Sequence, residues 1–214
     1  MINLVKEAKI GVGIISLKDT SQICTLRDIP KEYPVVLSDD LGVGYARNIV
    51  GNALCNCGCE ILVLLDDDLN VMGELWSWLR SLKQDEFAMV DVNGHLSTRV
   101  FAAHKHLFQE VGFDNSLRYV FEDGDFAIRA QKLGYHLCLV PPSLFSHKNH
   151  PRNRYKNLVA LNWEYCRMFV KYKRHVFNNL FEFFWRPFDY RIKLQDLATK
   201  IPFTLYWILR SKYA

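Results

Sequence analysis

A chain of 214 residues, half of them hydrophobic and 23% charged, has the make-up of one α/β domain with an appendage, which excludes a disordered or fibrous protein. The formal net charge of +4 hides an uneven split: residues 1–147 carry 13 Lys/Arg against 19 Asp/Glu, whereas residues 148–214 carry 14 against 4. An acidic front and a basic, aromatic tail imply two jobs.

At the N-terminus, MINLVKEAKIGVGIISL has too short an apolar run for a signal peptide and lacks a small-residue cleavage site. No apolar stretch approaches the roughly 20 residues of a spanning helix. The chain is therefore expected in the cytoplasm, with its six cysteines as free thiols.

KIGVGIIS (9–16) reads as a first buried strand and YPVVLS (33–38) as a second. In GVGYARNIVGNALCN (42–56), Ala46, Ile49, Val50, Ala53 and Leu54 recur at helical spacing. EILVLL (60–65) is a continuous apolar run of strand length, suited to burial on both faces of a parallel sheet. A helix is predicted over 72–83, then strands over 87–92 and 97–105. DGDFAIRAQKLG (123–134) reads as a helix with acids in its first turn and Gly134 as its stop. YHLCLVP (135–141) is a further strand, ended by Pro141 and Pro142. Such alternation argues for an α/β sheet with helices on both faces, over residues 1–150. Residues 151–214 read as a basic, aromatic, helical extension.

Two clusters invite a metal. Cys55, Cys57 and Cys59 lack the Cys-X2-Cys spacing of structural zinc sites, and no second Cys/His pair follows, so they are expected to form only the turn into the next strand. Asp66, Asp67 and Asp68 end the apolar run, where ligands of open α/β sheets bind. An extended chain would turn Asp66 and Asp68 to one face and Asp67 to the other. Two such carboxylates suit a hard divalent ion. Glu122, Asp123 and Asp125 stand at a helix start, where capping or an Asp125–Arg129 pair is the ordinary reading. His147 and His150 lie past the last strand, and an imidazole arriving near two carboxylates would make a third ligand.

Together GVGYARNIVGNAL, EILVLLDDDL, FEDGDFAIRAQKLGYHLCLVP and SLFSHKNH resemble, in order, four stretches of the family 2 glycosyltransferases. The resemblance covers about residues 9–170. It implies a GT-A fold, a mixed and mostly parallel sheet with a helical C-terminal extension. It also implies a metal-dependent, inverting transfer of a sugar from a nucleoside-diphosphate donor (UDP-, GDP- or dTDP-linked) to a hydroxyl of a glycan, glycoprotein or glycolipid. On that likeness Asp68, His147 and Asp66 would hold Mn²⁺ or Mg²⁺. Ser16, Asp39, Arg47, Asp66 and Asp67 would border the nucleotide-sugar. Asp123 would be the general base, with Glu122 and Asp125 fixing its geometry or touching the acceptor. The chain departs from the family in its short segment between the first two strands and in an acidic cluster reduced to SDD. The Gln-X-X-Arg-Trp motif of processive synthases is missing, so a single transfer is expected.

The rivals are a sugar-nucleotide nucleotidyltransferase, for which GVGIISLKDTS is a poor phosphate loop, and a non-catalytic membrane- or nucleic-acid-binding protein. No nucleic-acid signature accompanies the basic tail, and nucleic acid is not expected as a partner. The tail is expected to pack its aromatics and to meet anionic lipid head groups peripherally.

Overall fold

The computed structural model describes residues 9–39, 43–92, 95–118, 121–147, 158–172 and 193–212. His150 and residues 173–192 of the tail lie outside them. The chain divides into two compact units, Met1–Arg118 with Glu122–Asn149, and Tyr119–Phe121 with His150–Ala214.

In the first unit six strands make one sheet: β1 (Ile10–Ile15), β2 (Val35–Ser38), β3 (Ile61–Asp66), β5 (Glu86–Val92), β6 (His95–His104) and β7 (His136–Leu139), in the order β2-β1-β3-β6-β5-β7. β6 runs antiparallel to β3 and β5, and the other pairings are parallel, which is the mixed, mostly parallel sheet expected. The run 61–65 is continuously apolar because β3 feeds two cores. Ile61, Val63 and Leu65 join Ile10, Val12 and Ile14 against Leu75, Trp76 and Leu79 of α2 (Glu74–Arg80). Leu62 and Leu64 face Val50 and Leu54 of α1 (Val43–Asn56), with α3 (Lys105–Val111) and α4 (Glu122–Lys132) on the same side. Phe101 of β6 meets Phe108, Phe113 and Phe126 edge-on at 6.5, 5.3 and 4.9 Å, pinning α3 and α4 to the sheet.

Gly44 brings the start of α1 against the 114–118 loop. A Cβ there would stand 2.6 Å from the Asp114 carbonyl oxygen and 3.0 Å from that of Leu117. The backbone N–H of Gly44 donates to Leu117 O at 3.3 Å. The other end of α1 explains CNCGC. Gly58 adopts φ +74, and the N–H groups of Cys57, Gly58 and Cys59 donate back to Ala53, Cys55 and Leu54. None of the six cysteines is in a disulfide; Cys55 and Cys59 are buried in the core, and burial pushes both thiols up.

Three elements escape the periodicity. α3 is a seven-residue helix opening at the end of β6, and it takes Lys105 from the strand predicted over 97–105. β4 (Leu69–Val71) and β8 (Phe145–His147) form a separate two-stranded ribbon, pairing Leu69 with His147, Asn70 with Ser146 and Val71 with Phe145.

The second unit packs α5 (Leu158–Tyr172) with α6 (Lys193–Lys212). Trp163 lies 4.9–5.1 Å from the rings of Phe203, Tyr206 and Trp207, and Asn162 Nδ2 donates to Thr199 Oγ1 at 2.7 Å. Among the described residues no helix is long and apolar enough to cross a membrane.

Candidate metal centre and acidic helix start

β3 stops at Asp66, and Asp67 and Asp68 form the turn that leads into β4. The turn, rather than the pleat expected, sorts the three carboxylates. Asp67 accepts a hydrogen bond from the Ser16 hydroxyl and an ion pair from Lys18 Nζ at 2.9 Å, across at the end of β1. Asp68 points the other way and is 4% exposed. The ribbon places His147 opposite Leu69, so that His147 Nε2 comes to 3.1 Å from Asp68 Oδ1.

That approach is not a hydrogen bond. Asp68 Oδ1 and both ring nitrogens of His147 are buried and, among the described residues, have no hydrogen-bond partner. An unsatisfied buried carboxylate oxygen beside an unsatisfied buried imidazole costs free energy, on the order of 1–3 kcal/mol per group, unless something else binds both. Asp66 completes the group: one ligand atom each from Asp66, Asp68 and His147 lies within 4.8 Å of the others. Two carboxylate oxygens and one imidazole nitrogen brought together at a partly buried point are a donor set for a divalent cation. These residues form a site able to hold a metal.

The turn is held from the short segment between β1 and β2. Thr25, in the 3-10 stretch Cys24–Asp28, is fully buried. Its hydroxyl donates to Asp66 O at 2.7 Å and accepts the Leu69 N–H at 3.0 Å, while the Cys24 N–H donates to Asp67 O at 3.1 Å. Three backbone groups of the acidic turn are thus fixed from one neighbouring strand of chain. Lys18 and Thr25 carried no motif. A polar residue between two buried strands was the only sign of either.

The second acidic group opens α4. Phe121, just before it, has φ +68, a left-handed conformation costly for an aromatic residue. Glu122 is buried against Arg47: Arg47 Nη1 lies 2.6 Å from Glu122 Oε1, and Nη2 lies 3.9 Å from Asp66 Oδ1. Arg47 is 6% exposed, and its guanidinium also sits 5.6 Å from the Phe113 ring. Arg47, expected beside the nucleotide, therefore joins the two acidic motifs. Asp125 is fully buried and binds Arg129 Nε at 2.7 Å, the ordinary i,i+4 pair. Arg129 in turn donates to the carbonyls of Val111 and Gly112, so Asp125 braces α4 against the end of α3.

Asp123 is half-buried and accepts the Gly124 N–H at 2.7 Å. Burial, with the neighbouring Glu122 charge second, raises its carboxyl to about 7, against the opposing pull of Gly124 and Arg47. A carboxylate titrating near neutrality is poised to take a proton. Asp39 is exposed, one residue past β2, and the Ser16 N–H donates to Ser38 O at 2.9 Å, so both stand at the carboxyl edge of the sheet.

No family model and no curated protein matches the chain. Among solved structures, the mannosyltransferase PcManGT from Pyrobaculum calidifontis, in complex with GDP-Man and Mn²⁺, matches with a TM-score of 0.52 at 14% identity, over 98% of this chain and 76% of that one. A glycosyltransferase involved in glycosylation of the major capsid of PBCV-1 and A197 from STIV each match at 12% identity with a TM-score of 0.45. Each covers 67% of this chain, with 96% and 87% of their own lengths matched. The likeness to PcManGT is one of fold, and the fold is the GT-A arrangement with a helical C-terminal extension.

Proposed function

We propose that this chain is a metal-dependent, inverting glycosyltransferase that moves a sugar from a nucleoside-diphosphate donor to an acceptor hydroxyl in a single, non-processive transfer. The observation that carries the reading is the buried Asp68–His147 approach at 3.1 Å with Asp66 beside it, a built seat for a hard cation at the carboxyl edge of the sheet. Asp66, Asp68 and His147 hold Mn²⁺ or Mg²⁺, which when bound supplies charge neutralisation for a diphosphate leaving group.

The chain's own residues do the rest. Ser16 and Asp39 border the nucleoside at the edge of β1 and β2. Asp67 keeps Ser16 and Lys18 in place. Asp123 removes the proton from the acceptor hydroxyl as its oxygen bonds to the anomeric carbon and the bond to the diphosphate breaks, which inverts that centre. Glu122 holds Arg47, and Asp125 holds α4, so that Asp123 keeps one position. The acceptor is a glycan, glycoprotein or glycolipid hydroxyl, as the family resemblance implies.

GDP-mannose and Mn²⁺ accompany PcManGT and are the first ligands to try here. A thermal-shift screen of GDP, UDP and dTDP with and without Mn²⁺ tests the reading. One nucleoside diphosphate should raise Tm by about 5–10 °C at a hundredfold excess over Kd, and only with the ion. Failure of every nucleotide to shift Tm with Mn²⁺ overturns it.

A further inference from the structure

α6 turns an aliphatic stripe outward. Residues 201–209, IPFTLYWIL, carry no charge. Ile201, Leu205, Ile208 and Leu209 recur at helical spacing and are exposed, the two leucines at 56% and 57%. Tyr206 is exposed beside them. On the face toward α5, Lys200 and Thr204 are buried, Thr199 accepts from Asn162 of α5, Lys200 O accepts from the Cys166 thiol, and Phe203 and Trp207 pack on Trp163. The helix therefore packs Thr199, Lys200, Phe203, Thr204 and Trp207 on its α5 side and leaves an aliphatic stripe outside.

The stripe is edged by cations. Arg210 follows Leu209 directly, is exposed, and lies 5.3 Å from the Trp207 ring, which Arg167 of α5 approaches at 5.6 Å. Residues 148–214 carry 14 Lys/Arg against 4 Asp/Glu. An apolar stripe with aromatic and guanidinium margins matches the layering of an anionic bilayer face, where aliphatic groups enter the acyl boundary, rings lie at the head groups and cations meet phosphate. A second copy of this chain would bring the same positive charge against itself. The helix is too short in apolar length to span.

We infer that α6 is an interfacial helix that lies in the plane of an anionic membrane with Ile201, Leu205, Ile208 and Leu209 inserted. The inference stands on the C-terminal helices alone and does not need the transferase reading. The test is co-sedimentation of the full chain with vesicles of phosphatidylcholine alone or with about one third phosphatidylglycerol, at low and high salt. Wild type should pellet with the anionic vesicles at low salt, and substantially less with neutral vesicles or at high salt. Leu205→Ser/Leu209→Ser, two exposed positions, should pellet at least about tenfold less at low salt while keeping its circular dichroism and Tm. Failure of wild type to pellet with anionic vesicles overturns the inference, as does a double variant that pellets like wild type. So does a lipid-free dimer in sedimentation velocity that the double variant abolishes, because the stripe then belongs to a second copy.

Discussion

Arg47 and Glu122 form a buried ion pair, 2.6 Å between Nη1 and Oε1, that ties the first turns of α1 to the start of α4. The same guanidinium reaches toward Asp66 at 3.9 Å, so one cation serves the acidic turn after β3 and the acidic start of α4. Removing one partner of a buried pair strands the other charge, at about 3–5 kcal/mol. Arg47→Met should lower Tm by roughly 6–20 °C at 2–4 °C per kcal/mol, and adding Glu122→Gln should recover most of the loss. Additive losses in the double variant would show that the pair is not coupled.

Asp123 predicts a pH dependence of two kinds. Transfer should rise with pH through about 7, the value to which burial lifts its carboxyl, because only the ionised form accepts a proton. The folded state holds this proton more tightly than the unfolded chain. Stability from this group is therefore whole below the ordinary aspartate range and falls as pH climbs to about 7. Asp123→Asn should match wild-type Tm at pH 4 and exceed it at pH 8. It should lose transfer by about 10²–10⁴-fold with nucleotide binding kept. Full turnover in Asp123→Asn would remove it as the base.

Thr25 contributes through the backbone of the acidic turn rather than by touching a ligand. Thr25→Val keeps the shape and deletes the hydroxyl that binds Asp66 O and Leu69 N. Mn²⁺ affinity should fall about tenfold, with Thr25→Ser restoring most of it. Equal affinity in Thr25→Val and wild type would assign Thr25 to packing alone.

What the sequence disclosed and what it hid follow physical lines. β3 and α1 were legible because a buried strand and an amphipathic helix repeat over many residues. The ribbon of β4 and β8 was not, since three residues a side carry no period, yet this ribbon sets His147 against Asp68. The pleat put Asp66 and Asp68 together, whereas the strand ends at Asp66 and a turn does the sorting. Thr25 and the Arg47–Glu122 pair depend on partners 41 and 75 residues away, which no local pattern records. The exposed stripe of α6 was visible only as an apolar segment, because which face a helix buries is decided by its neighbour.

If Asp66, Asp68 and His147 seat a divalent ion for a nucleoside-diphosphate donor, calorimetry will register it. The nucleoside diphosphate selected by thermal shift should bind wild type at least about tenfold more tightly with Mn²⁺ than without, and Asp68→Ala should lose that gain while remaining folded. The same gain in Asp68→Ala, or none in wild type, would contradict it.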